Sequence, residues 1–365
     1  MKSFRFRHAL SSLAVCTLSL CAGAAHAAYV YAEFTRPDVD STALFDINNS
    51  GVMVGYSTRD GEAIPLSQGF IYDGSGFTSL IGPPGAISSN ALGISDGGVV
   101  VGSYSSRTVV DDTGATVLGP ASGYIYSGGT YTTFSVAGAL ETNLRGISPD
   151  GRFITGFYST DTKAGIGFIY DRTTGVRTDL SVAASVLTIA QGVQNDGTVV
   201  GSDIIAGAPT TRPGFVYELG TGTRTDLSIA GVLRTALRAI SDDDVLSGWF
   251  IDGTGAHGFV GLTTGYEQID FAGAAATYVE GMNNDKVLVG TFQVGDAFRA
   301  FIARPDISTV PAPGTWALLA LGLGALAFTR RAPAGRQSLT ACGPEDLGVC
   351  RLGGSGTPTA SACLT

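Results

Sequence analysis

Short apolar runs separated by polar turns recur along most of the chain. The clearest stretch is Val193-Gln194-Asn195-Asp196-Gly197-Thr198-Val199-Val200-Gly201, an apolar anchor followed by a polar turn and a β-branched run closed by glycine. Close copies begin at Ile47, Ile94, Ile147, Ile240 and Met282, so the six anchors are spaced by 47, 53, 46, 47 and 42 residues. Short alternating runs enriched in Val, Ile, Phe and Tyr predict strands, and the body carries no sustained 3.6-residue apolar period that would predict helix.

Each repeat has the same internal order. A run ending in the anchor and a tight turn lead into the β-branched run; after a variable insert comes a Gly-aromatic strand. These strands are Gly69-Phe70-Ile71-Tyr72, Gly123-Tyr124-Ile125-Tyr126, Gly167-Phe168-Ile169-Tyr170, Gly214-Phe215-Val216-Tyr217, Gly258-Phe259-Val260 and Ala300-Phe301-Ile302. A second turn then leads to an outer strand such as Tyr131 to Val136. Four strands in about 40–45 residues is the period of a propeller blade. The last repeat stops after Ala300 to Arg304 without its outer strand, and the body begins with a spare one, Tyr29 to Thr35. The expected fold is therefore all-β: a six-bladed β-propeller of four-stranded blades, its sixth blade closed by the N-terminal strand, which removes the open edge between first and last blades. The inserts between second and third strands run about Ser57 to Gln68, Ser103 to Ser122, Ser159 to Ile166, Asp203 to Pro213, Ile251 to His257 and Phe292 to Arg299. They share one face, and a ligand is expected there or at the channel mouth.

Composition narrows the chemistry. With 44% hydrophobic and 15% charged residues, 365 residues can bury a large core, and 52 glycines suit many tight turns. A net charge of −9 argues against nucleic-acid binding, which needs Lys and Arg against phosphates. After Ala28 the chain has one histidine, His257, and two lysines, Lys163 and Lys286, so no metal site, cofactor or Lys-based covalent catalysis is expected. Cysteines stand only at the ends, Cys16 and Cys21, then Cys342, Cys350 and Cys363, so disulfides do not hold the body together.

Two repeated positions are candidates for chemistry. Five residues before the anchor a hydroxyl stands in every repeat: Thr42, Ser89, Thr142, Thr188, Thr235 and Thr277. Such side chains are expected to bond turn backbone. Two before the anchor lie Phe45, Leu92, Arg145, Gln191, Arg238 and Glu280, apolar in two repeats and polar in four consecutive ones. Arg145, Gln191, Arg238 and Glu280 are the candidate ligand-binding residues, a polar arc near the channel, with mutual pairing between blades as the alternative. The turn acids Asp96, Asp150, Asp196, Asp242, Asp243, Asp244 and Asp285 fit tight turns rather than a calcium loop. His257 is expected to be an exposed loop residue beside Gly258. No catalytic residue is assigned: a glycosidase needs paired carboxylates about 5–10 Å apart, and Glu33, Glu62, Glu141, Glu218, Glu267 and Glu280 fall in no such motif.

Ile47-Asn48-Asn49-Ser50-Gly51-Val52-Met53-Val54-Gly55 together with Gly69-Phe70-Ile71-Tyr72 resembles the extracellular HAF-type repeats of secreted bacterial proteins, over about residues 29 to 305. Ser148-Pro149-Asp150-Gly151-Arg152-Phe153 looks like one repeat of periplasmic propellers of the TolB kind. Asp243-Asp244 and Asp285-Lys286 depart from the glycine-bearing turn.

Residues 1–27 read as a secretory signal peptide: basic Lys2, Arg5 and Arg7, an apolar run from Leu10 to Ala25, and Ala25-His26-Ala27 before the cut. The propeller is expected over 28–305. Residues 306–331 then carry Val310, Pro311, Ala312 and Pro313, an apolar run from Trp316 to Phe328, and Arg330 and Arg331. This is similar to the PEP-CTERM sorting signal, with Ala312 in place of its glutamate. The resemblance implies a hydrophobic helix, transient inner-membrane anchoring and an exosortase-type sorting enzyme as partner. Residues 332–365 read as an unstructured tail. The expected protein is exported to the envelope or beyond and is a non-enzymatic propeller that binds, with extracellular polysaccharide as candidate partner, or builds the extracellular matrix. The alternatives are a glycan hydrolase or lyase at the channel and an envelope protein-interaction platform.

Overall fold

The computed structural model describes residues 29–59, 64, 66–183, 185–205, 212–262 and 265–306. All lie in the first of two units, which divide between Val310 and Pro311. The expected signal peptide, the sorting residues from Val310 to Arg331 with their hydrophobic helix, and the tail lie outside the described residues.

Among the described residues every regular element is a β-strand. Four sheets have four strands each. Ser41–Ile47, Met53–Thr58, Ser67–Tyr72 and Phe77–Leu80 form the first; Ser88–Ile94, Val100–Ser105, Ser122–Ser127 and Thr130–Phe134 the second. Arg234–Ile240, Leu246–Ile251, Ala256–Leu262 and Gly265–Ile269 form another. In the last, Ala276–Met282, Leu288–Val294 and Ala297–Pro305 take Tyr29–Phe34 as their outer strand, in antiparallel register from Tyr29 opposite Pro305 to Phe34 opposite Ala300. Between them an eight-stranded sheet comprises two antiparallel sets, Glu141–Asp179 and Ser185–Leu227, joined at one parallel bridge between Gly165 and Leu187. The inner strands pack against one another in chain order, and the last against the first. The arrangement is an all-β propeller.

The repeated letters have physical causes. The aromatic of each Gly-aromatic strand, Phe70, Tyr124, Phe168, Phe215, Phe259 and Phe301, is fully buried, so each repeat sinks one ring into the core, burial that contributes about 1.5–3 kcal/mol apiece. The anchor turn is the same in all six repeats: the amide of the fourth turn residue donates to the carbonyl of the first, as in Gly51 to Asn48 and Gly197 to Gln194. That fourth residue is left-handed, with φ of 81° at Gly51 and 87° at Gly197, and 60° at both Asp244 and Lys286. The two turns that lack glycine therefore keep the geometry and place ordinary side chains in a region that disfavours them.

The expected inserts are mostly not loops. Pairing continues past the second strand to Thr160 opposite Lys163, Ile251 opposite Ala256 and Val294 opposite Ala297, so three of the six are tight hairpins. The insert after Ser105 carries its own ribbon, Thr108–Val110 with Thr116–Leu118. Main-chain pairing satisfies the polar backbone of these segments, which is why chain length there does not become loop.

Candidate functional site

The inner strands share one irregularity. In each, the ladder to the second strand slips by a residue at the position two before the anchor: Phe45, Leu92, Arg145, Arg238 and Glu280, and Gln191 with Gly192 in the fourth. A β-bulge leaves its extra residue unpaired and re-aims its side chain. Here all six bulge residues line one central cavity of about 70 Å³. The candidates Arg145, Gln191, Arg238 and Glu280 are brought together by this device. Since the bulge lies just before the anchor turn, the turn residues Asn48, Asn49, Asp96, Pro149, Asp242, Asn283 and Asn284 also line the cavity. The site thus sits at the short-turn end of the channel, away from the variable inserts expected to frame it.

The arc is only partly self-paired. Arg238 Nε lies 3.2 Å from Glu280 Oε2, but its N–H is not aimed at an acceptor, and the buried Arg145 Nε and Gln191 Nε2 also lack one. Aromatic rings of the second strands stand beside the arginines: Arg145 is 5.4 Å from the Phe157 centroid and Arg238 is 5.3 Å from that of Trp249. Such contacts offset charge burial but accept no in-plane hydrogen bond. Burial, and then Arg238, lower the Arg145 pKa to about 10. Burial raises that of Glu280 against the pull of Arg238, Arg145 and Arg234.

Sequence reasoning missed Asp46, one residue before the first anchor. The other repeats have Gly93, Gly146, Gly192, Ala239 and Gly281 there, because neighbouring inner strands approach closely: a Cβ on Gly93 would lie 3.0 Å from the Cα of Gly146. Asp46 spans the first two repeats instead, accepting bonds from the amides of Ile47 and Ile94, each at 2.9 Å. Burial pushes its carboxyl up to about 7, against the two amides. The signal was legible as the one acid at a glycine position.

The remaining candidates are structural. Thr42, Thr142, Thr235 and Thr277 each accept a bond from the amide six residues earlier, at 3.0–3.1 Å. Ser89 accepts from Gly69 and donates to Leu80, whereas Thr188 donates to Asp203. The turn polar residues stitch repeats together: Asn49 bonds Asp96, Asp150 bonds Asn195, Gln194 bonds Ser241, Asp242 bonds Asn284, and Asn284 returns to Asn49. Among the described residues no group of His, Cys, Asp and Glu is placed to hold a metal ion. His257 is not an exposed loop residue. It stands in the strand Ala256–Leu262, half-buried, with Nδ1 3.0 Å from Asp270 and Nε2 2.8 Å from Thr254 Oγ1, because the short hairpin at Gly255 carries it onto the sheet.

No family model matches the chain, and no curated protein matches it. Solved structures do. TolB from Acinetobacter baumannii is 15% identical, with a TM-score of 0.45 over 68% of this chain and 63% of that one. The β-propeller domain of the Trilobed protease from Pyrococcus furiosus is 9% identical, with a TM-score of 0.44 over 75% and 99%. Trypanosoma rangeli sialidase in complex with the inhibitor DANA is 9% identical, with a TM-score of 0.47 over 82% and 62%. The matches to TolB and the sialidase span less than two thirds of those chains. Likeness at this level concerns the propeller fold alone.

Proposed function

We propose that this protein is an exported, surface-sorted, non-enzymatic propeller of six blades that acts in binding or as a component of an extracellular matrix, with the axial arc as its recognition site. Six blades are supported by six anchor turns closed by the same backbone bond and by the single bridge between the two halves of the eight-stranded sheet. Export and sorting by an exosortase-type enzyme, with transient anchoring by a hydrophobic C-terminal helix, are supported by the sequence of the two ends. Among the described residues no helix is long and apolar enough to cross a membrane; the apolar run from Trp316 to Phe328 lies outside them.

The observation that carries the binding reading is the convergence of Arg145, Gln191, Arg238 and Glu280 on one cavity with buried donors left unpaired. A reactive carboxyl pair is the competing use of that cavity, and the raised Glu280 carboxyl favours it. However, Glu280 stands against Arg238, and Asp46 is held by two amides. Incubation of the purified protein with a panel of matrix polysaccharides is expected to give binding without release of shorter fragments. Turnover that disappears in Glu280→Gln would make the protein an enzyme.

A further inference from the structure

The chemistry of the arc says which ligands it can hold. Its fully buried side-chain atoms without a partner are donors: Arg145 Nε, Gln191 Nε2 and Arg238 Nε, with no acceptor aimed at any of them. Gln191 is 7% exposed, so its amide has little water to turn to. Of the four carboxyls that line the cavity, Glu280 faces Arg238 and both oxygens of Asp46 accept main-chain amides, while Asp96 and Asp242 in the rim turns accept bonds from Asn49 and Asn284. Within the arc itself two guanidinium groups stand against the single carboxylate of Glu280, and the other three carboxyls of the lining are engaged by donors of their own. Leaving buried donors unmade is costly, and a guanidinium matches a planar carboxylate with two parallel bonds. The volume of about 70 Å³ admits a carboxylate with one or two carbons and no sugar ring, so a larger ligand would insert only its acid group.

We propose that the axial cavity is a carboxylate-binding site, in which Arg145 and Gln191 are the primary donors and Arg238, steadied by Glu280, supplies the second positive charge. The acid group is that of a small free carboxylate or of a uronic acid residue in a polysaccharide. This rests on the axial arc being the recognition site and names the ligand class that it takes.

The test uses the full-length exported protein, with calorimetry and thermal unfolding in sodium acetate, sodium glucuronate or sodium chloride at equal ionic strength. Acetate is expected to bind saturably and to raise the unfolding temperature, while chloride at the same strength does not. Arg145→Met should abolish the acetate effect, and Gln191→Leu should weaken binding at least about tenfold, as loss of a hydrogen bond to a charged group does. In acetate-free buffer Arg145→Met should unfold no earlier than the parent, because it removes a buried charge that has no acceptor; a merely structural arginine would give the opposite sign. Glucuronate bound more tightly than acetate assigns the acid group to a sugar, and acetate bound alone assigns it to a free small acid. Equal effects of acetate and chloride, or acetate binding unchanged in both variants, would overturn the proposal. Polysaccharide binding that survives Arg145→Met would likewise overturn the carboxylate site while leaving the matrix-binding function standing.

Discussion

Gly201→Ala is expected to destabilise the protein by about 3–5 kcal/mol, or to prevent its folding altogether, at the upper end of what one added methyl group does. A Cβ at Gly201 would fall on the carbonyl oxygen of Ile189 in the adjacent inner strand. The same collision waits at Gly55 with Ala43, Gly102 with Asn90, Gly156 with Asn143, Gly248 with Ala236 and Gly290 with Tyr278. In every repeat the glycine that ends the β-branched run lies beside the bulge, where the inner strand is pushed toward its neighbour to turn one side chain into the channel. The obstacle is backbone, so no rotamer change relieves it. Gly222→Ala is the control: it has φ of +69° but nothing within 4 Å of a Cβ, so it should cost only about 1 kcal/mol, the conformational penalty alone. Urea unfolding midpoints of the two variants against the parent check both values, and equal losses would show that the close approach does not set the glycine.

The pH dependence of stability is expected to carry the mark of Asp46. Its carboxyl is pushed up to about 7 in the folded protein from 3.8. Folding therefore takes up a proton between those values. Stability from this residue is greatest below about pH 4, falls as pH rises toward 7, and levels off above it. At ~1.4 kcal/mol per unit the full span would be about 4 kcal/mol. Asp46 still faces the cavity, where water screens it, so about 2 kcal/mol is the expected loss. Asp46→Asn keeps an oxygen for one of the two amides and removes the titration. The difference in unfolding free energy between parent and variant, measured from pH 4 to 8, should change in favour of the variant as pH rises; a difference independent of pH contradicts the raised carboxyl.

Much of the fold was legible because its causes are local and repeated. The turn, the buried aromatic and the spare strand Tyr29–Phe34 each leave a letter in the chain, and the structure pairs that strand where the last repeat lacks one. The candidate site was legible as four polar residues at one register position, Arg145, Gln191, Arg238 and Glu280. Their orientation was not, because a bulge has no sequence signature beyond the glycines that make room for it. Variable length was also a poor guide to loops: the segments near Thr160, Ile251 and Val294 spend their residues on longer hairpins. The polar anchor turn, whose acids were expected only to shape a tight turn, lies on the rim of the cavity.

The claim that recognition happens on the axis, at the bulge residues, is most directly tested by arginine-selective ¹⁵N NMR of the full-length protein. The Arg145 Nε–H signal, identified by its loss in Arg145→Met, is followed as sodium glucuronate is added at constant ionic strength. A saturable shift of that signal, with those of the exposed Arg299 and Arg304 unmoved, is the expected result. An Arg145 signal that stays fixed throughout the titration would contradict the account.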